Sequence, residues 1–419
     1  MLKTTQIELQ LITSIDIYSF IKKGIRGGIV QCSNRYSIAN NKYMSNYDDH
    51  KPSKYLMYLD ANNLYGWAMS EYLPYAEFEW LDNVNDFDVF TIEENSSYGF
   101  ILEVDLEYPH SIHDIHNDLP FCCENKKIGS MIQPKLITDL NNKTRYVIHY
   151  RNLQQCLKHG LKLKKVHRVL RFKQSNWLKK YIDLNTFQRT NAKNDFEKNF
   201  FKLLNNAVYG KTMENVDKKK DIKIVCEWES IGKRLGARAL IAKPNFHSYT
   251  SFTENMLAIQ LKRSCTLYDK PICIGFVVLE LSKWKMYNFH YSYMKPKFQT
   301  KLCLNYMDTD SFIYTIQTND FYKDIHDDID LKFDTSEYLD VMITRGQANK
   351  ATLSSDADGS SSDSEASVTA VNIEAQNITM QPEATIGNDA IASLVANITS
   401  LQESVQELRN ETSRGQSEV

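Results

Sequence analysis

Up to Tyr338 the apolar residues recur with two interleaved periods, and beyond it the pattern changes character. Ile12–Ile21 is a short amphipathic stretch. It is followed by Lys22-Lys23-Gly24-Ile25-Arg26-Gly27-Gly28, whose paired glycines mark a turn or a close backbone approach. Tyr55–Leu59 is an apolar run ending on Asp60 and predicts a buried strand, and Gly99–Leu106 predicts a second. Leu153, Leu157 and Leu161 stand at steps of four, so Leu153–Lys164 predicts a helix. Lys193–Tyr209 is the clearest helical pattern of the chain. Phe246–Lys262 predicts a hairpin turning near Glu254-Asn255, Ile274–Tyr293 a helix, and Leu302–Ile316 a strand, a turn and a strand. Strands interrupted by helices without strict β-α-β alternation predict an α+β body.

The segment 339–385 has no such period. It contains the acidic run Leu353-Ser-Ser-Asp-Ala-Asp-Gly-Ser-Ser-Ser-Asp-Ser-Glu-Ala-Ser and is expected to be disordered. After it, Ile391, Leu394, Ile398, Leu401, Val405 and Leu408 alternate steps of three and four. This is a heptad seam with β-branched residues at a and Leu at d, the pattern that favours parallel dimers. A homodimer through residues 391–408 and a lone helix packing on the body or fraying both fit it.

Composition sharpens the break. All the Trp, Tyr and Phe residues lie at or before Tyr338, and all eight cysteines at or before Cys303. From Asp340 onward the chain carries 12 Asp/Glu against 4 Lys/Arg, a net of -8, which leaves +6 on the body out of the total of -2. A basic, aromatic-rich body suits a polyanionic partner, because Lys and Arg displace counterions from phosphate; a mildly basic soluble domain fits equally well. No C-x-x-C pair, secretory signal or membrane-length apolar run is present, so reduced, buried, structural thiols, no membrane partner, and a nuclear or alternatively cytoplasmic setting are expected.

Three constellations carry chemistry. Tyr58-Leu59-Asp60-Ala61-Asn62-Asn63-Leu64-Tyr65-Gly66 puts a carboxylate at a strand end, then a tight turn and an aromatic. Read alone, it fits a helix-capping Asp better than a metal ligand with Tyr65 under a sugar. On the second, Lys198, Lys202 and Asn206 are spaced by four and share one helical face, with Phe196, Phe200, Leu203 and Leu204 on another. Like charges at that spacing repel unless an anion such as a triphosphate sits between them; the commoner meaning is a solvated basic face. Tyr209-Gly210 is expected to end this helix, with the glycine at its cap. The third, Tyr306-Met307-Asp308-Thr309-Asp310-Ser311-Phe312, sets two carboxylates two apart between apolar strands, facing the same side of an extended chain. Such a pair repels unless a cation separates it, and carboxylate oxygens suit Mg²⁺; a turn using Asp for its backbone hydrogen bonds is the plain alternative. In this chain order the three match a two-metal nucleotidyl-transfer site.

These residues resemble motifs A, B and C of family B DNA polymerases: D-x-N-x-L-Y-G, K-x-x-x-N-x-x-Y-G and Y-x-D-T-D-S. The likeness is to the organellar, viral and protein-primed branch, transposon-encoded members of the Polinton/Maverick kind included, and runs from about Ile17 to Tyr338. It implies a polymerase palm with an antiparallel sheet and helical fingers. It implies Mg²⁺ ligands at Asp60, Asp308 and Asp310, and triphosphate contacts at Lys198 and Lys202. It implies a steric gate against ribose at Tyr65, base-pair stacking at Tyr209 and support of the nucleotide by Asn206. Gly27, Gly28 and Gly210 fall where the family approaches DNA, Ile25 replacing the Tyr of a Y-x-G-G turn. The implied partners are template and primer DNA, dNTPs, and a terminal-protein primer held by the segment after motif A.

By this resemblance the chain divides into 1–54, a linker with the Gly-Gly turn; 55–191, the motif A strand with an insertion; 192–215, the fingers helix; 216–338, the palm with motif C; the acidic linker 339–385; and the heptad helix 386–413. Little chain precedes Gly27 and no K-x-Y follows Asp310, so a chain without proofreading exonuclease, primer grip or thumb is expected. Two alternatives to DNA-directed DNA synthesis stand beside it: an inactive DNA-binding relic, and an interaction protein working through its C-terminal helix.

Overall fold

The computed structural model describes residues 1–84, 87–130, 132–263, 265–334 and 368–372. The heptad seam, and the 339–385 segment apart from Val368–Asn372, lie outside them.

Helix α1 (Ile15–Gly24) opens on Ser14, whose hydroxyl accepts from Ile17 N–H, and buries Ile17, Tyr18, Phe20 and Ile21. A short strand β1 (Val30–Cys32) follows the glycine pair. Strand β2 (Lys54–Ala61) alternates half-buried and buried positions, so Tyr55, Met57, Leu59 and Ala61 face the core while Tyr58 and Asp60 face the other side. Asn63, at φ 53°, turns the chain into α2 (Leu64–Ser70). Next come β3 (Leu73–Trp80), β4 (Tyr98–Glu107), β5 (Lys143–His149), α3 (Tyr150–Lys158) and β6 (Lys162–Ser175). Two helices, α4 (Lys179–Thr190) and α5 (Asp195–Thr212), pack on each other. A small unit comprises β7 (Asp221–Val225), α6 (Ala237–Ile241), β8 (Phe246–Thr253) and β9 (Met256–Leu261). The long α7 (Ile272–Asn288) runs on through a π turn, Phe289–Met294. The body closes with β10 (Leu302–Asp308), β11 (Ser311–Gln317), β12 (Phe333–Asp334) and β13 (Val368–Asn372).

The strands form a six-stranded sheet in the order β1-β10-β11-β2-β13-β12, antiparallel except at β12/β13. A four-stranded antiparallel sheet, β3-β6-β4-β5, lies in the region between motifs A and B, and a three-stranded sheet, β8-β9-β7, between motifs B and C. The main core joins the inner faces of β2, β10 and β11 to β4, α3 and the π turn. A second core gathers α1, α2 and α7. Every residue of α7 from Ile272 to Ser282 is buried, which is why its sequence there, Glu280 and Ser282 excepted, is apolar on every side rather than striped. The end of α5 docks on α7 at Gly275, where an added Cβ would meet Met213 Sδ at 2.1 Å and Thr212 Oγ1 at 2.8 Å.

Several expectations need correction. The 153–164 helix ends at Lys158, because Gly160 at φ 98° turns the chain into β6. Gly210 is inside α5, which continues to Thr212 and caps on Met213, so no glycine ends it. Cys32, Cys226, Cys265 and Cys303 are exposed, whereas Cys122, Cys123, Cys156 and Cys273 are buried, and all eight are free. The 216–338 segment holds the β7–β9 unit with its own small core around Leu240, Leu257 and Ile259. Val368–Asn372, inside the stretch expected to be unstructured, pairs with β2; its V-T-A-V-N sequence is rich in β-branched residues and an open strand edge offers it partners. Among the described residues no helix is long and apolar enough to cross a membrane.

Candidate active site

Asp308 ends β10 and pairs with Ser311 at the start of β11, so Thr309 and Asp310 form a two-residue turn. Thr309 sits at φ 50°. Asp308 therefore ends a strand and Asp310 lies in the chain reversal that follows, instead of the two lying two apart on one extended strand, which corrects the geometry read from their spacing. Two neighbours fix the turn. Thr309 N–H donates to Ile29 O at 2.8 Å, and Ala61 N–H donates to Asp310 O at 2.8 Å. Val30 pairs with Asp308, and Asp60 with Ser311. The segment after the glycine pair, the motif A strand and the D-T-D turn thus meet at one end of the six-stranded sheet.

The charges there oppose each other. Burial pushes the Asp310 carboxyl above its usual range; the nearby Asp60 and Asp308 carboxylates add to the rise, while Lys202 works against it. Tyr58, two residues before Asp60 and on the same strand face, donates its hydroxyl to Asp60 Oδ2 at 2.8 Å. Thr309 Oγ1 donates to Asp308 Oδ1 at 3.2 Å. Tyr58 was not singled out from the sequence, although the period of two along β2 already placed it beside Asp60.

Helix α5 starts at Asn194, whose side chain accepts from Glu197 N–H at 2.9 Å, while Glu197 Oε2 accepts from Lys193 N–H at 2.9 Å. Lys202 reaches the field of Asp310. Lys198 and Asn206 are exposed on the same helix. Tyr209 stacks on Tyr65, with ring centroids 4.6 Å apart and 10° between the planes, and burial raises the pKa of both hydroxyls. Asn205, also missed in the sequence, is buried and accepts from Asn185 Nδ2 of α4 at 2.8 Å. The apolar face expected on α5 is largely open to solvent, with Phe196 79% and Leu203 62% exposed. Of the three glycines, Gly28 lies against Thr309, whereas nothing lies within 4 Å of a Cβ at Gly27 or Gly210. On the core side of the same sheet end, a cavity of about 200 Å³ is lined by Leu59, Ala61, Phe289, Tyr293, Asp310 and Phe312.

Among the described residues no three acidic, His or Cys side chains form a ready-made metal cage. The donor set still fits Mg²⁺. That ion takes one or two carboxylates and keeps its other positions for water and phosphate oxygens. The mutual repulsion felt at Asp310 is also what a cation would relieve.

No curated protein matches the chain. Among solved structures it is similar to phi29 DNA polymerase complexed with primer-template DNA and incoming nucleotide substrates, at 18% identity over 77% of this chain and 47% of that one, TM-score 0.46. It is also similar to phi29 DNA polymerase complexed with single-stranded DNA, at 16% identity over 76% and 45%, TM-score 0.43. The chain spans about half the length of these structures. Residues 3–296 match the family described as DNA polymerase type B, organellar and viral, a span that holds Asp60, Tyr65, Lys202 and Tyr209 and stops short of Asp308 and Asp310. The chain belongs to the organellar and viral type B DNA polymerases.

Proposed function

We propose that this chain catalyses template-directed transfer of deoxynucleotides to a DNA 3′ end. The observation that carries this reading is the meeting of Asp60, Asp308 and Asp310 at one sheet end within reach of Lys202 of α5. Asp60, Asp308 and Asp310 would hold Mg²⁺, which when bound acidifies a primer hydroxyl and offsets charge on the leaving pyrophosphate. The remaining work falls to side chains. Lys202, with Lys198 one turn earlier, would pair with triphosphate oxygens as a point-charge clamp. Tyr58 would keep Asp60 oriented through its 2.8 Å hydrogen bond. Tyr65 would close the space a 2′-hydroxyl needs, and Tyr209, stacked on it, would present its ring to the nascent base pair. Asn206 would support the nucleotide, and Gly27, Gly28 and Gly210 would leave room for the DNA backbone. A protein hydroxyl serving as primer fits the same chemistry. The separate β3–β6 sheet after motif A supports a protein-binding role for that insertion.

The test is extension of a primed single-stranded template with Mg²⁺ and dNTPs, comparing the full chain with Asp310→Asn. Asn keeps the shape and removes the charge, so extension is expected to fall by about 10³-fold or more with DNA binding retained. Binding without extension by either protein would instead identify an inactive relic.

A further inference from the structure

Helix α2, which carries Tyr65, is only seven residues long. A helix of that length holds its orientation through its neighbours and not through its own hydrogen bonds. Leu64, Ala68 and Met69 anchor one side of it in the core. A second anchor uses side chains that neither the family motifs nor the proposed chemistry employ. The Trp67 indole lies parallel to Trp284 of α7, with ring centroids 6.1 Å apart and 10° between planes. Lys285 Nζ stands 4.8 Å from the centre of the Trp67 ring, and Arg151 Cζ 4.4 Å from that of Trp284. Arg151 is itself buried at the start of α3. It donates through Nη1 to Glu71 Oε2 at 2.6 Å and through Nη2 to Glu94 Oε2 at 2.9 Å. Glu71 is the residue that caps the C-terminal end of α2. The helix is therefore gripped at its middle by an indole and at its end by a guanidinium, and the two grips touch each other.

Residues 65 and 67 are about 200° apart around a helix axis. Rolling α2 about the Trp67 contact would carry the Tyr65 ring away from Tyr209. We infer that Trp284 and Arg151 are positioning residues that fix the roll of α2, and through it the place of the Tyr65 ring. Given the polymerase reading above, on which this consequence rests, they set discrimination between deoxyribo- and ribonucleotides without touching the sugar. A planar guanidinium held by two carboxylates and an indole face suits this task better than a lysine would, because its fork geometry is rigid.

Two readouts on the full chain test the inference. The first is the ratio of kcat/KM for rNTP and dNTP in single-nucleotide addition; the second is the ¹⁹F resonance of 3-fluorotyrosine placed at position 65. Trp284→Leu and Glu71→Gln are expected to raise the ribo-to-deoxy ratio about tenfold while changing dNTP kcat by less than about threefold. Trp284→Phe, which keeps a stacking ring and guards against a variant that merely misfolds, is expected to stay close to the native ratio. The ¹⁹F line should shift and broaden in Trp284→Leu and not in Trp284→Phe. An unchanged ratio together with an unmoved line in Trp284→Leu overturns the inference, while dNTP extension leaves the polymerase reading intact. If the native chain extends no primer, the polymerase reading fails by itself. The ¹⁹F line then decides the clamp alone: displacement upholds it and constancy overturns it.

Discussion

At position 28 an added Cβ would lie 2.3 Å from Thr309 Oγ1 and 2.6 Å from its methyl, inside any van der Waals contact. Thr309 has little freedom to retreat, since its N–H is bonded to the Ile29 carbonyl. Gly28→Ala is therefore expected to cost about 1–3 kcal/mol of stability. It should also depress primer extension by more than that loss explains, because the side chain that must yield sits between Asp308 and Asp310. Urea melts beside extension rates check this. Thr309→Gly in the Gly28→Ala background should recover most of both, glycine also suiting φ 50°. The glycine pair was legible in the sequence as a turn or a close approach. What it approaches was not, since no local pattern links residue 28 to residue 309.

Among the elements, α4 and α5 show how much a periodic sequence conceals. The spacing of Lys198, Lys202 and Asn206 located their common face, and the helix indeed runs through all three. What joins this helix to its neighbour is a buried polar pair, Asn185 and Asn205, which apolar periodicity cannot reveal. Removing one partner strands the other: Asn185→Ala is expected to destabilise the protein by about 1–3 kcal/mol and to raise protease sensitivity across α4 and α5. Replacing both asparagines by leucine should restore most of the loss, because no buried polar atom is then left unpaired. Thermal melts of the single and double variants, with limited proteolysis, decide between these outcomes. Element boundaries failed for a similar reason. Leu153, Leu157 and Leu161 keep step across Gly160, yet the backbone there is set by a positive φ and not by side-chain spacing.

On the scale of the whole body, the aromatic core beneath the six-stranded sheet ties the 108–123 segment to α7 and its π turn. His116 lies buried there, its Nδ1 2.9 Å from the Tyr108 hydroxyl and its ring against Phe121 and Tyr291. Burial, reinforced by the neighbouring His159 and Lys295, lowers its pKa from 6.5 to about 4. A histidine whose folded value is depressed favours the folded state above its unfolded pKa. That contribution is lost as pH falls from 6.5 through about 4. The urea midpoint is therefore expected to drop across this window, and His116→Asn should flatten the drop. A midpoint curve of unchanged slope in the variant would assign the acid sensitivity to other groups. The α+β class, the hairpin at 302–316 and the strand ending at Asp60 could be read from local patterns. The β3–β6 sheet could not, because its strands owe their pairing to partners distant in sequence.

The hydrogen bonds that hold the D-T-D turn come from Ile29 and Ala61, near the beginning of the body, whereas the turn itself lies near its end. On a ribosome, then, the amino-terminal residues of the site must wait for well over two hundred further residues before Asp308 and Asp310 emerge. Closing so long a loop is slow, and the scaffold that receives the turn must already be assembled when it arrives. An unfinished polypeptide would carry α5 without the D-T-D turn. The order in which the site's parts come together is thus set by topology and not by the strength of any one contact.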